Sequence, residues 1–210
     1  MNKILGFAGR HWVLTTFLVL IVGIAAWWQY SFPSGTWRYK MTVTVETPEG
    51  IKTGSAVREV TYSNGPKILP DVAGASWNVK GEAVVVDMGQ GKYLFALLDV
   101  DGSYQIVYDV FPYQGQSARD HIQYYKSLTG QKKNLEKSQY PTMVTFKDIK
   151  DPKTVTSAFR VEPYSVSGQA QFSYKFIDDM GFVFGQGVKL KDVTIEMTDE
   201  PVTWKMKSYL

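Results

Sequence analysis

Tyr39-Lys40-Met41-Thr42-Val43-Thr44-Val45-Glu46 alternates apolar and polar side chains without a break. Successive side chains of a strand point to opposite faces, so Tyr39, Met41, Val43 and Val45 share one face and the polar residues share the other. This is the pattern of a half-buried strand. Thr47-Pro48-Glu49-Gly50 reads as a turn, and residues 55–62 read as a second strand, so the region predicts a hairpin with a rather long loop. Arg58-Glu59 breaks the second alternation and predicts a β-bulge there.

Working outward towards the C-terminus, Ser63-Asn64-Gly65-Pro66 opens a loop reaching to about Asn78. Ala83-Val84-Val85-Val86 and residues 93–98 are continuous apolar runs, expected as central strands joined through Asp87-Met88-Gly89-Gln90-Gly91. Asp101-Gly102 predicts a tight turn into an alternating strand over 104–110. Ser117 predicts a helix N-cap, with Asp120 three residues on. Ile122, Tyr125 and Leu128 form a helical stripe, and Gly130 suits the stop. Residues 131–139 are polar and expected to be solvated. Strands are expected at 142–146, 155–161, 172–176 and 188–198, the last with its alternation slipping at Asp192. Residues 181–187 read as a Gly-rich turn. The expected fold is mainly β: an N-terminal transmembrane helix followed by an antiparallel β-sandwich or barrel-like domain with one short helix.

Working towards the N-terminus, residues 12–28 read WVLTTFLVLIVGIAAWW, seventeen residues with no charge. At about 1.5 Å per residue they cover roughly 26 Å, slightly short of a ~30 Å hydrocarbon core. Flanking Phe7, Ala8, Tyr30 and Phe32 extend the match. Trp12 marks one end of this anchor, Leu18 its interior, and Trp27 and Trp28 the other end, where amphipathic rings settle at a membrane interface. Lys3 and Arg10 precede the run. The positive-inside bias then keeps the N-terminus in the cytoplasm and puts the remainder in the periplasm or outside. The expected organisation is a cytoplasmic tip and single-pass inner-membrane signal-anchor over 1–32, a linker over 33–38 and an extracytoplasmic β-rich domain over 39–210. A cleaved signal peptide is the competing reading, with Gly23-Ile24-Ala25 as a passable exit.

Of 23 basic residues, two precede residue 36 and no acidic residue does, leaving 21 basic against 20 acidic in the rest. A near-neutral domain gives no electrostatic reason to expect nucleic acid. The absence of cysteine excludes disulfides, thiolate nucleophiles, iron–sulfur clusters and cysteine zinc sites.

Several stretches carry a family likeness: TVTVETPEG (42–50), GSAV (54–57) and GEAVVVD (81–87), then PTMVTF (141–146), Asp151-Pro152 and residues 187–203. Together they resemble a family of bacterial envelope proteins with a membrane-anchoring N-terminus, a β-rich domain and no assigned activity. The resemblance implies an envelope location and leaves function open.

Candidate chemistry is sparse. Asp99-Val100-Asp101-Gly102-Ser103 holds a fragment of a calcium loop but lacks its further ligands. Gly89-Gln90-Gly91 and Gly185-Gln186-Gly187 lack the third glycine and following helix of a dinucleotide site, and read as hairpin turns. Ser55 has no nucleophile-elbow frame. His121 is the one histidine outside the anchor, and reads as a packed or solvated helix position. Glu46, Glu59, Glu82 and Asp87 are strand-associated acids from which a hydrolytic pair would have to come. Lys126, Lys132, Lys133 and Lys137 form a small basic cluster able to touch anionic headgroups. Tyr104, Tyr108, Tyr113, Tyr124 and Tyr125 offer a binding face or core packing under the helix. No cofactor is expected. The reading that follows is a non-enzymatic, membrane-anchored module that binds a protein partner or joins an assembly. Lipid or carbohydrate binding is the alternative, and a carboxylate-dependent hydrolase comes third.

Overall fold

The computed structural model describes residues 2–66, 74–98, 105–165 and 172–206. The chain opens with helix α1 (Asn2–Ser31). Its stretch Trp12–Ser31 is, among the described residues, the one helix long and apolar enough to cross a membrane, and none of it is buried by protein. Twenty residues at about 1.5 Å each match a hydrocarbon core of roughly 30 Å. A helix apolar all round and uncovered by protein wants an apolar solvent. Phe32 closes the helix by donating its N–H to Trp28 O at 2.8 Å. Pro33, lacking an N–H, cannot continue it.

Strand β1 (Ser34–Thr47) starts immediately. The expected linker over 33–38 therefore shrinks to Phe32-Pro33, because pairing with the next strand already begins at Ser34↔Ser63. β2 (Gly50–Asn64) and β3 (Ala75–Lys80) follow, then β4 (Val84–Gly89) and β5 (Lys92–Ala96). Helices α2 (Gln105–Val110) and α3 (Ala118–Ser127) come next, with β6 (Lys132–Asn134), β7 (Met143–Phe146), β8 (Val155–Ser165) and β9 (Phe172–Asp178). Helix α4 (Met180–Phe184) and β10 (Lys189–Thr198) complete the list.

The strands form two antiparallel sheets. The first has the order β3-β2-β1-β10-β6, the second β4-β5-β7-β8-β9. Trp37, Tyr39, Met41, Val43 and Val45 of β1 are buried, as their alternation requires, in one core with Val84, Val86, Leu94, Ala96, Met143 and Phe159 of the second sheet. Each such side chain contributes roughly 1.5–3 kcal/mol relative to exposure. The second sheet also buries Ala83, Phe95 and Val144 on its other side, against partly buried Phe146, Ile149 and Met206. Apolar cover on both faces explains the continuous apolar runs of β4 and β5. β4 nevertheless ends its sheet rather than lying centrally.

The two sheets meet where β2 crosses β4. A Cβ on Gly54 would overlap the Val85 carbonyl oxygen and carbon. Only glycine lets the two backbones approach this closely. Beyond the last β2–β3 pair, Glu59↔Lys80, the edge of β2 is taken by the C-terminal segment. Thr203 N donates to Val57 O at 3.1 Å, and Val57 N donates to Thr203 Oγ1 at 2.9 Å. The Glu82 carboxylate accepts from Lys205 N and Met206 N at 2.7 and 2.8 Å, pinning this segment down. Covering an edge removes a row of unpaired backbone groups.

Four expectations are corrected. The β1–β2 register runs unbroken through fourteen pairs, so there is no bulge at Arg58-Glu59. Arg58 keeps the inward parity of Ala56 and Val60 and lies wholly buried. Its guanidinium is satisfied by carbonyls instead: Nε donates to Glu82 O at 3.2 Å, and NH2 to Ala96 O and Leu97 O at 3.3 Å each. Residues 105–110 are helix rather than strand, because Val107, Val110 and Phe111 bury at helical spacing. Residues 180–184 form a helical turn ahead of Gly185 and Gly187, which take positive φ of 118° and 86°. Within 131–139, residues 132–134 extend the first sheet as β6, paired with β10. The slip at Asp192, by contrast, is present: the register shifts between Thr44↔Asp192 and Val45↔Leu190, leaving Lys191 as the extra residue of a bulge.

Candidate functional site

The anchor residues stand as a group. Trp12, Leu18, Trp27 and Trp28 are exposed along α1. Phe32 folds back on Trp28 with ring centroids 4.8 Å apart, and on Trp27 at 6.4 Å. Tyr30 is tied to the domain: the Arg119 guanidinium lies 4.7 Å over its ring and donates to its carbonyl oxygen at 3.2 Å. The aromatic end of the helix is therefore docked on α3. That helix starts as expected, with Ser117 Oγ accepting from Asp120 N at 3.3 Å. It sits on the root of β1, where Ile122 packs directly over Gly35 and leaves no room for a Cβ.

The tyrosines differ in burial. Tyr125 has no exposed surface, and its hydroxyl donates to Phe111 O at 2.8 Å. Burial, with help from Tyr124 and Asp109, pushes its phenol well above the ordinary range. Tyr124 is half-buried and donates to Pro112 O at 3.3 Å. Tyr108 packs against the core. Tyr104 lies outside the described residues, as do Asp99-Val100-Asp101-Gly102-Ser103. Tyr108, Tyr113 and Tyr125 line an aromatic cluster around His121. The rings of Tyr125, Tyr62, Tyr113, Tyr108, Trp77 and Trp37 lie 5.0–5.7 Å from the imidazole, Tyr108 stacked on it at 2°. Burial pulls the His121 pKa down. Among the described residues, His121 Nδ1 and Trp37 Nε1 find no hydrogen-bond partner.

Three of the four strand-associated acids have separate partners. Glu59 pairs with Arg38 at 2.8 Å, Glu82 holds the C-terminal segment, and Asp87 Oδ1 accepts from Gly89 N in its turn. Arg38 stands opposite Glu59, eight residues along β1 from Glu46, which separates the two acids by about 26 Å. The two acids of a glycosidase sit within about 10 Å of each other. No group of three His, Asp or Glu able to hold a metal occurs among the described residues. The basic cluster also divides. Lys133 donates to Val110 O at 3.0 Å and lies 4.8 Å over the Phe111 ring, whereas Lys126 faces α1. Gly89-Gln90-Gly91 is the expected hairpin turn, all three residues at positive φ. Gly185-Gln186-Gly187 joins a helix to a strand instead.

Two features escape sequence reasoning. At the far end of β1 from the helix, the 47–50, 89–91 and 184–188 loops gather around a cleft of about 180 Å³, and nearby Phe182 is 90% exposed. These loops lie far apart in sequence, so no local signal joins them. The second feature is an open, largely apolar groove of about 600 Å³ lined by Ala83, Leu97, Leu98, Trp204 and Met206. Trp204 is 67% exposed there. Comparisons with protein-family models, curated proteins and solved structures give no match.

Proposed function

We propose that the chain is a single-pass, membrane-anchored module of the cell envelope that presents its β-domain to a protein partner. The N-terminus stays in the cytoplasm and the domain lies in the periplasm or outside, in line with Lys3 and Arg10 ahead of the span. The carrying observation is the direct fusion of an unburied apolar helix to β1 with only Phe32 and Pro33 between them. β1 then runs fourteen residues, about 45 Å, away from the bilayer. At its far end stand the three gathered loops and the exposed ring of Phe182. A large aromatic left in water beside a polar cleft is the composition of an interface anchor.

The test is protease accessibility in spheroplasts, combined with a photo-crosslinking amino acid at position 182 or, as control, at exposed Lys153. Full-length chain in the membrane fraction, digested from outside, with one discrete crosslinked product at 182 and none at 153, is expected. A shortened soluble chain, a protected domain, or equal crosslinking at both positions would overturn the reading. Lipid or carbohydrate binding remains the second reading, favoured by the groove at Leu97, Leu98 and Trp204.

A further inference from the structure

Between α1 and α3 lies a second open groove, of about 800 Å³. One wall is apolar: Ile21, Val22, Ala25 and Ala26 of α1. The other carries Arg119 and Lys126 of α3. These two cations are seven residues apart, two helical turns, and so share one face of the helix. Both are exposed. The four ion pairs among the described residues are Arg38–Glu59, Lys40–Glu200, Lys52–Glu49 and Arg160–Glu162, so neither Arg119 nor Lys126 is neutralised by a described carboxylate. Arg119 spends one N–H on Tyr30 O while its plane lies over the Tyr30 ring. Most of its five donors remain for a ligand.

The groove extends along α1. Tyr30 belongs to the aromatic end of the helix, at the height of a headgroup layer. Ile21 and Val22 lie about 12–14 Å along the helix from Tyr30, in the acyl region. Arg119, held on Tyr30, thus stands at headgroup height, and Lys126 lines the same groove beside the apolar wall. Arginine meets phosphate through a planar fork and lysine as a point charge.

We propose that this groove holds one anionic phospholipid. Its acyl chains lie along Ile21, Val22, Ala25 and Ala26, and its headgroup phosphate sits between Arg119 and Lys126. The proposal rests on α1 spanning a bilayer. Its occupant follows from charge complementarity and from the span itself, since lipid is the solvent of that wall.

The experiment uses the full chain in phosphatidylcholine vesicles with and without phosphatidylglycerol, followed by native mass spectrometry of the lipid retained. Wild type is expected to retain one phosphatidylglycerol in preference to phosphatidylcholine. Arg119→Gln with Lys126→Gln is expected to lower that retention by roughly thirtyfold, the combined effect of two cations near an anionic surface. Lys132→Gln with Lys137→Gln should leave it unchanged. Lys126→Gln alone, with a smaller loss, covers the case of a double variant that does not fold. Equal retention of both lipids, or full retention by the double variant, overturns the proposal while leaving the span intact. Displacement of the lipid by millimolar inorganic phosphate also overturns it, by making the groove a site for the free anion. A chain that partitions into neither vesicle overturns the span itself.

Discussion

The two sheets are built by different means. The first is held by its own ladder: β1 and β2 pair without a break over fourteen positions, and β10 adds nine more with a single bulge. β1 itself alternates cleanly between buried and half-exposed positions over 37–45. The second has β4, β5 and β7 of only 6, 5 and 4 residues. β5 and β7 share two pairs, Phe95↔Val144 and Ala96↔Met143. What fixes the second sheet is contact with the first, above all the Gly54 crossing and the Arg58 guanidinium reaching its carbonyls. A long antiparallel ladder specifies itself, whereas short strands need tertiary contacts to set their place.

That contrast can be broken at its seam. Gly54→Ala is expected to be the most damaging small change, at least about 3 kcal/mol, because the overlap begins at Cβ and meets backbone that cannot rotate away. Gly23→Ala, with open space around it, should be close to neutral. Denaturant unfolding of the full chain in detergent measures both, and equal effects would refute the seam. Arg58→Met retains much of the volume but leaves the Glu82, Ala96 and Leu97 carbonyls without their donor. A loss of about 1–3 kcal/mol is expected, with amide exchange in β4 and β5 rising before that in β1 and β2. Uniform exchange would mean that Arg58 serves both sheets alike. Ser117→Ala removes the cap of α3 and should cost about 1 kcal/mol in the same unfolding assay.

The smallest effect expected is one of pH. Burial lowers the folded-state pKa of His121, so between that value and the ordinary one of about 6.5 the unfolded chain binds more protons. Stability should therefore be complete above about 6.5, decline as pH falls through this window, and level off below the folded-state value. His121→Phe should flatten that slope in unfolding measured across the window. An unchanged slope would assign the pH dependence elsewhere.

The sequence and structure agree best where one face is wet and the other dry. Residues 39–46 announce β1 because each side chain has a single correct face, and the slip at Asp192 announces the β10 bulge for the same reason. Residues 105–110 are too short to separate period 2 from period 3.6. Ile106, Tyr108 and Val110 match the first, Val107, Val110 and Phe111 the second, and burial by the core decides. Arg58 is legible in hindsight: its parity in β2 places it inward, and the apparent break in alternation is Val57, whose outward side the C-terminal segment covers. The long apolar helix α1 is read from composition alone. Of the tyrosine set, Tyr125 obeys the helix stripe and enters the core. The loop tip and the groove between α1 and α3 depend on elements far apart in sequence, which no local pattern joins.

The strand order β3-β2-β1-β10-β6 has a consequence in time. β1, the first strand to be synthesised, has as one neighbour β10, whose residues follow about 150 positions later. At about 5–20 residues per second, one edge of this strand waits roughly 8–30 s for its partner. During that interval the nascent domain carries an open, alternating edge of the kind that recruits other chains. A long wait between distant partners also slows the final closure, since contacts of high sequence separation form late. The first sheet is therefore complete only once residue 198 has emerged.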